Sequence, residues 1–233
     1  MTEHTYKQFD AELEDIRGRV LQMGGLVEFQ IVKAMEGLES GDLLLIDQVI
    51  NNDARVNAAE VSLDEACSHI IAKRQPAASD LRMIMAVIKT ITDLERIGDE
   101  AKKIAKLAKQ IHSADSGSGP KIALRHVADL ALAMLRQALD AFARLDVATA
   151  AEVVRQDKEV DREFKSIMRQ LITFMMEDPR TISRGLDSLF VAKSIERIGD
   201  HSKNISEYVV YLVKGRDVRH IGIEGIEREI AAD

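Results

Sequence analysis

Glu95-Arg96-Ile97-Gly98-Asp99 occurs twice in this chain, returning letter for letter as Glu196-Arg197-Ile198-Gly199-Asp200. An identical pentapeptide at equivalent places in two halves signals an internal repeat. Other landmarks keep the register: Asp42 matches Asp146 and Asp53 matches Asp157 at an offset of 104, Pro76 matches Pro179 at 103, and Asp99 matches Asp200 at 101. One duplicated unit explains them together.

The unit is helical. Around the first pentapeptide, Leu81, Ile84, Ile88, Ile91, Leu94, Ile97, Ala101, Ile104 and Ala108 recur mainly at spacings of three and four, which predicts a helix over about 79–112 with Ser79 as N-cap. Upstream, Leu13, Ile16, Val20, Met23, Val27 and Ile31 mark a helix over about 6–38 that stops at Ser40-Gly41. A second, from about Asp42 to Arg74, carries Ile46, Val49, Val56, Leu63, Cys67 and Ile70 and ends before Pro76. The pattern restarts as helices over about 121–145, 146–177 and 181–214, after the Ser/Gly-rich passage 113–120, which reads as a linker. Short connections make consecutive helices antiparallel. The expected fold is all-α: two tandem antiparallel three-helix bundles, 1–112 and 121–214, with a loosely held tail at 215–233.

Composition agrees and narrows the function classes. Of 233 residues only 4% are aromatic, Trp is absent and Pro numbers 3, a helix-former's balance. A net charge of −7 and pI near 5.5 argue against nucleic acid as a direct partner, since phosphate affinity comes from clustered cations. The lone Cys67 reads as a small core residue. The start Met1-Thr2-Glu3-His4 lacks a secretory pattern, so a cytoplasmic protein is expected. No run approaches the ~20 apolar residues of a membrane span, leaving membrane contact to partners.

In each pentapeptide two carboxylates stand four residues apart, on one face of a helix. At about 100° per residue, Glu95 with Asp99 and Glu196 with Asp200 fall away from the apolar stripes, and both pairs are expected to face outward. On the middle helices Asp157 falls near the stripe and Asp161 at its edge. The first half has Asp53 and Asn57 at those places, with Glu60 almost on the stripe. Such oxygen-rich groups suit hard or borderline cations, Fe, Zn, Mn or Mg; the same residues equally suit a solvated face with weak ion pairs. Gly98 and Gly199, costly inside helices, are expected where another helix approaches closely. The six histidines are scattered, and His201, beside Asp200, reads as a surface residue.

Catalytic apparatus is missing from the pattern. There is no Glu-x-x-His pair of the di-iron bundles, no Gly-rich phosphate loop, no zinc-ligand cysteine set and no nucleophile elbow. The alternative to a binding protein is a metal-dependent hydrolase or metal store built on the carboxylates.

Three segments carry a family resemblance: Thr92 to Asp99, Arg169 to Asp178, and Ser194 to His201 with Asn204-Ile205. In these the chain resembles the PhoU family of phosphate-uptake regulators, in its gamma-proteobacterial form, and the resemblance runs from the first helix to about His220. It implies two three-helix bundles related by a pseudo-twofold, with acidic motifs that hold metal clusters in some members. By position those motifs carry to Glu95 and Asp99, Glu196 and Asp200, and Asp157 and Asp161; Asn57 departs from the pattern, which brings in Asp53 and Glu60. The resemblance also implies a non-enzymatic, dimeric adaptor between the phosphate ABC transporter, through its ATPase PstB, and the PhoR/PhoB two-component system, repressing starvation genes when phosphate is plentiful.

Overall fold

The structure, a computed structural model, describes residues 2–113 and 123–231. Three helices form the first half: α1 (Thr2–Ser40), α2 (Leu43–Arg74) and α3 (Ala78–Ser113). Three form the second: α4 (Leu124–Arg144), α5 (Val147–Glu177) and α6 (Ile182–Lys214). Of the expected linker 113–120, Ser113 closes α3 and the rest lies outside the described residues.

The stop and start signals act as their chemistry dictates. Gly41 takes φ +70° and ends α1. Asp42 then caps α2, accepting from the backbone N–H of Leu44 at 3.0 Å and Leu45 at 3.2 Å. In the second half Asp146 caps α5 in the same way, through Ala148 at 2.9 Å and Thr149 at 3.1 Å. Each cap satisfies two N–H groups that a helix start leaves unpaired. Ser79, the expected cap of α3, lies inside the helix, which begins at Ala78.

Each half packs as an antiparallel three-helix bundle around its aliphatic stripes. Ile16, Met23, Ile31, Ile46, Leu63, Ile84 and Ile91 are among the fully buried side chains of the first, Met134, Phe142, Val153, Leu171, Ile195 and Ile205 of the second. Cys67 lies in the first core, and burial pushes its thiol up to about 11.

The two bundles join chiefly through α3 and α6, with α1 against α4 as a lesser contact. Because α3 and α6 are equivalent elements of the repeat, this is an approximately twofold junction. The pairs Asp93–His201 and Glu100–Arg197 run in opposite senses along the two helices, which makes the seam antiparallel.

The tail departs from expectation. After Gly215, at φ +72°, the chain turns and forms α7 (Gly222–Ala231). Val218 and Ile226 are buried, and Glu227 pairs with Arg155 of α5 at 2.6 Å. Its apolar residues, Ile223, Ile226 and Ile230, recur at three and four, a short pattern that a scan for long helices passes over. No helix among the described residues is long and apolar enough to cross a membrane.

Candidate functional site

The carboxylates gather at two places, one in each bundle, where the second and third helices meet. In the first bundle Asp53 and Glu60 of α2 face Glu95 and Asp99 of α3. Burial raises the Glu95 pKa, and the neighbouring charges of Asp99, Glu60 and Asp53 raise it further. Glu60 is raised by burial and by Asp64 and Asp99, against the pull of Arg96. In the second bundle Asp157 of α5 faces Glu196 and Asp200 of α6. Burial, then Glu196 and Asp157, push Asp200 up to about 6. Like charges held this close disfavour ionisation of the member least exposed to water.

The expected outward aim is corrected for the second pair. Asp99 is half open, its side chain 44% exposed, whereas that of Glu196 is only 12% exposed. Lys193 pairs with Glu196 one turn away, and Asp200 is half-buried beneath Lys193 and Lys203. Asp161 stands at the edge of α5 as expected, in a cleft with Asp157, Lys158, Lys203 and Glu207.

Each cluster already contains a cation, and the sequence reading passed over it. Lys102 donates to Asp53 at 2.6 Å and lies 3.9 Å from Asp99. Lys203, its counterpart in the repeat, donates to Asp157 at 2.7 Å. The hydrogen bond to Asp53 raises the Lys102 pKa. Lys203 is raised too: burial opposes its charge, but Asp157, Glu207 and Asp200 outweigh that. Lysine at the same step after both pentapeptides was the available signal.

Among the described residues, no three His, Cys, Asp or Glu side chains stand where they could hold one metal ion. The donor chemistry fits a hard or borderline cation, and the buried Asp53 retains one oxygen, Oδ1, without a partner. The side-chain placement instead gives the cation's position to lysine.

The glycines behave as the close-approach reading requires, more tightly in the first copy. A Cβ on Gly98 would meet Gln30 Oε1 and Val56 Cγ1, each at 3.2 Å; on Gly199 it would meet Val160 Cγ1 at 3.4 Å. Val56 and Val160 are themselves equivalent in the repeat, so the motif's glycine seats the same α2 or α5 valine twice.

The seam between bundles holds polar residues that sequence reasoning missed. His201 is not a surface residue: it is 7% exposed and its Nδ1 lies 2.6 Å from Asp93 Oδ1, itself 3% exposed. Asn204 donates to the same oxygen at 3.2 Å. Tyr208 has its phenol pKa raised by burial and by the Asp93 charge. At the symmetric position Ser194 replaces Asp93 and Glu100 replaces His201; Glu100 is held across the seam by Arg197 at 2.8 Å and along α3 by Lys103 at 2.8 Å.

Known proteins share this repeat and this fold. The family model described as PhoU domain matches the chain twice, over residues 20–108 and 124–209, which is the internal repeat. The phosphate-specific transport system accessory protein PhoU homolog of Pseudomonas aeruginosa is 49% identical over 232 residues, covering 99% of this chain and 95% of that one. The accessory protein PhoU of Escherichia coli is 47% identical over 231 residues, again covering 99% and 95%. The crystal structure of PhoU from Pseudomonas aeruginosa superposes with a TM-score of 0.85 over 89% of this chain and 100% of its own, at 49% identity. That of the PhoU regulatory protein from Streptococcus pneumoniae gives 0.84 over 90% and 99%, at 30% identity. The duplicated match and the near full-length identity establish that the chain belongs to the PhoU family.

Proposed function

We propose that this chain is a cytoplasmic, non-enzymatic negative regulator of phosphate uptake and of the phosphate-starvation regulon. The observation that carries the proposal is full-length identity of about half to relatives named as accessory proteins of the phosphate-specific transport system. In this reading the chain, as a homodimer, contacts the transporter ATPase PstB and the sensor kinase PhoR, and with phosphate plentiful it keeps the kinase from activating PhoB. The acidic net charge suits protein partners. A phosphatase reporter of the starvation response in a deletion strain tests this. It should switch on in high phosphate and return to silence when the gene is restored; an unchanged reporter rejects the regulatory role.

Iron, zinc, manganese or magnesium at the carboxylate clusters is a second part of the proposal, supported by the way burial first, and neighbouring carboxylates after it, raise Glu95 and Asp200. An ion there takes the place Lys102 and Lys203 hold against Asp53 and Asp157. Lys203→Met should therefore tighten zinc or manganese binding by roughly tenfold, since the competing charge is gone. Unchanged affinity by calorimetry places the metal elsewhere.

A further inference from the structure

The α3–α6 seam opens at one end into a groove of about 400 Å³, rimmed by Lys103, Lys106 and Leu107 of α3 and by Phe190, Lys193 and Arg197 of α6. We infer that this groove is a docking site for an acidic amphipathic helix of a partner protein.

Internal symmetry shows that the opening is particular to one end. The repeat places Lys89 where the groove has Phe190, Tyr208 where it has Leu107, and Tyr211 where it has Gln110. At that other end the chain closes its own seam. The Lys89 ammonium sits 5.5 Å from the Tyr208 ring centre and 5.3 Å from that of Tyr211, and the turn after α6 brings Gly215 against the Arg82 guanidinium. Three of the groove's four cations are also replaced there, with Asn204 for Lys103, Glu207 for Lys106 and Thr92 for Lys193, and only Arg197 keeps a counterpart, Arg96. One end is self-filled, the other open and basic.

The open end offers what a helix would bury. Phe190 is 57% exposed, and Ile182 and Leu186 extend its line along α6 at four-residue steps, also exposed. From Ile182 to Arg197 this track is about 22 Å long, room for about four turns of a partner laid into the notch between two antiparallel helices.

Charge selects the occupant. Among the lining residues Lys103, Lys106, Lys193 and Arg197 face a single carboxylate, Glu100, which is buried and shared by Lys103 and Arg197. Lys193 is further matched by Glu196, which leaves the rim net positive on a chain of charge −7. A second copy of the chain docked twofold on itself would set these cations against each other. A flat anionic bilayer would not fill a notch between helices, and the acidic remainder of the surface repels it.

The test uses the full chain with a photo-crosslinking amino acid at position 190, where exposure tolerates the change, activated in the host cell. The cross-linked segment is mapped by mass spectrometry, synthesised, and titrated against the purified chain. The expected segment is an acidic helix with apolar residues at spacings of three and four. Its affinity should fall at least tenfold with Lys106→Ala/Lys193→Ala, fall further with Lys106→Glu/Lys193→Glu, and weaken with salt. Circular dichroism and melting of both variants confirm the fold. Absence of a cross-link, a cross-link to a second copy or to lipid, a mapped segment without an acidic face, or affinity unmoved in folded variants overturns the assignment.

Discussion

Glu207 is the most exacting test of the electrostatics. It is 8% exposed on α6, facing Lys203, Asp157, Asp217 and Arg219. Burial moves its pKa from the usual 4.5 up to about 7, with Asp157 and Asp217 adding to the rise and Lys203 and Arg219 opposing it. A carboxyl whose folded pKa lies above its unfolded value binds its proton more tightly in the native state. It therefore supports the fold fully only below about pH 4.5, and that support is lost as pH climbs from there through about 7. Between those limits, at about 1.4 kcal/mol per pH unit, wild type loses about 3 kcal/mol.

Glu207→Gln keeps the shape and removes the titration. At pH 5 the two proteins should differ in stability by less than about 1 kcal/mol from this source, and at pH 8 the variant should be the stabler by up to about 3 kcal/mol. For a chain this long that is a rise in melting temperature of roughly 6–12 °C. Urea unfolding followed by helical circular dichroism, from pH 5 to 8, reads the difference directly. A difference that stays flat across this range, or a variant less stable at pH 8, refutes the assignment of a buried, partly protonated Glu207.

Two further outcomes follow from the packing. Gly199→Ala should stabilise by up to about 1 kcal/mol, because the new methyl meets Val160 at ordinary contact distance and gains helix propensity. Gly98→Ala should gain nothing or lose about 1 kcal/mol against Gln30 and Val56; thermal melts of the two variants should thus move apart, and equal shifts would contradict the tighter first copy. Removing the imidazole in His201→Ala leaves Asp93 buried with Asn204 and the Tyr208 phenol as its side-chain partners, at a cost of about 3 kcal/mol. Asp93→Asn/His201→Ala should recover part of it in a double-mutant cycle, and strictly additive losses would show that the pair is not coupled.

What was legible in the sequence follows from which faces are uniformly apolar. Ile84, Val87, Ile91 and Leu94 announce the inner side of α3, and the matching caps Asp42 and Asp146 announce where the middle helix of each bundle begins. The verbatim repeat then fixes the architecture, because a unit that occurs twice must bury two similar cores. Spacing, the verbatim pentapeptide and the family resemblance together point to the carboxylates of both clusters, whereas the lysines that neutralise Asp53 and Asp157 carry no such mark, because a Lys on a polar face has no periodic signature.

The same periodicity hid the seam, and for a physical reason. α3 is buried on a second face formed by Ala86, Thr90, Asp93, Ile97, Glu100 and Ile104, all 3% exposed or less, and half of those side chains are polar. A face of that composition is indistinguishable in sequence from a solvated one, so Asp93 went unremarked and His201 was placed in water. Only the fold brings the two together across 108 residues. Three equivalent positions show how differently the two copies use the seam: His201 stands for Glu100, Asp93 for Ser194, and Tyr208 for Leu107. Each of those differences falls on the α3–α6 seam. They divide it into one end latched and filled by the chain itself and one end left basic, apolar and open, and it is at the open end that the proposed partner helix docks.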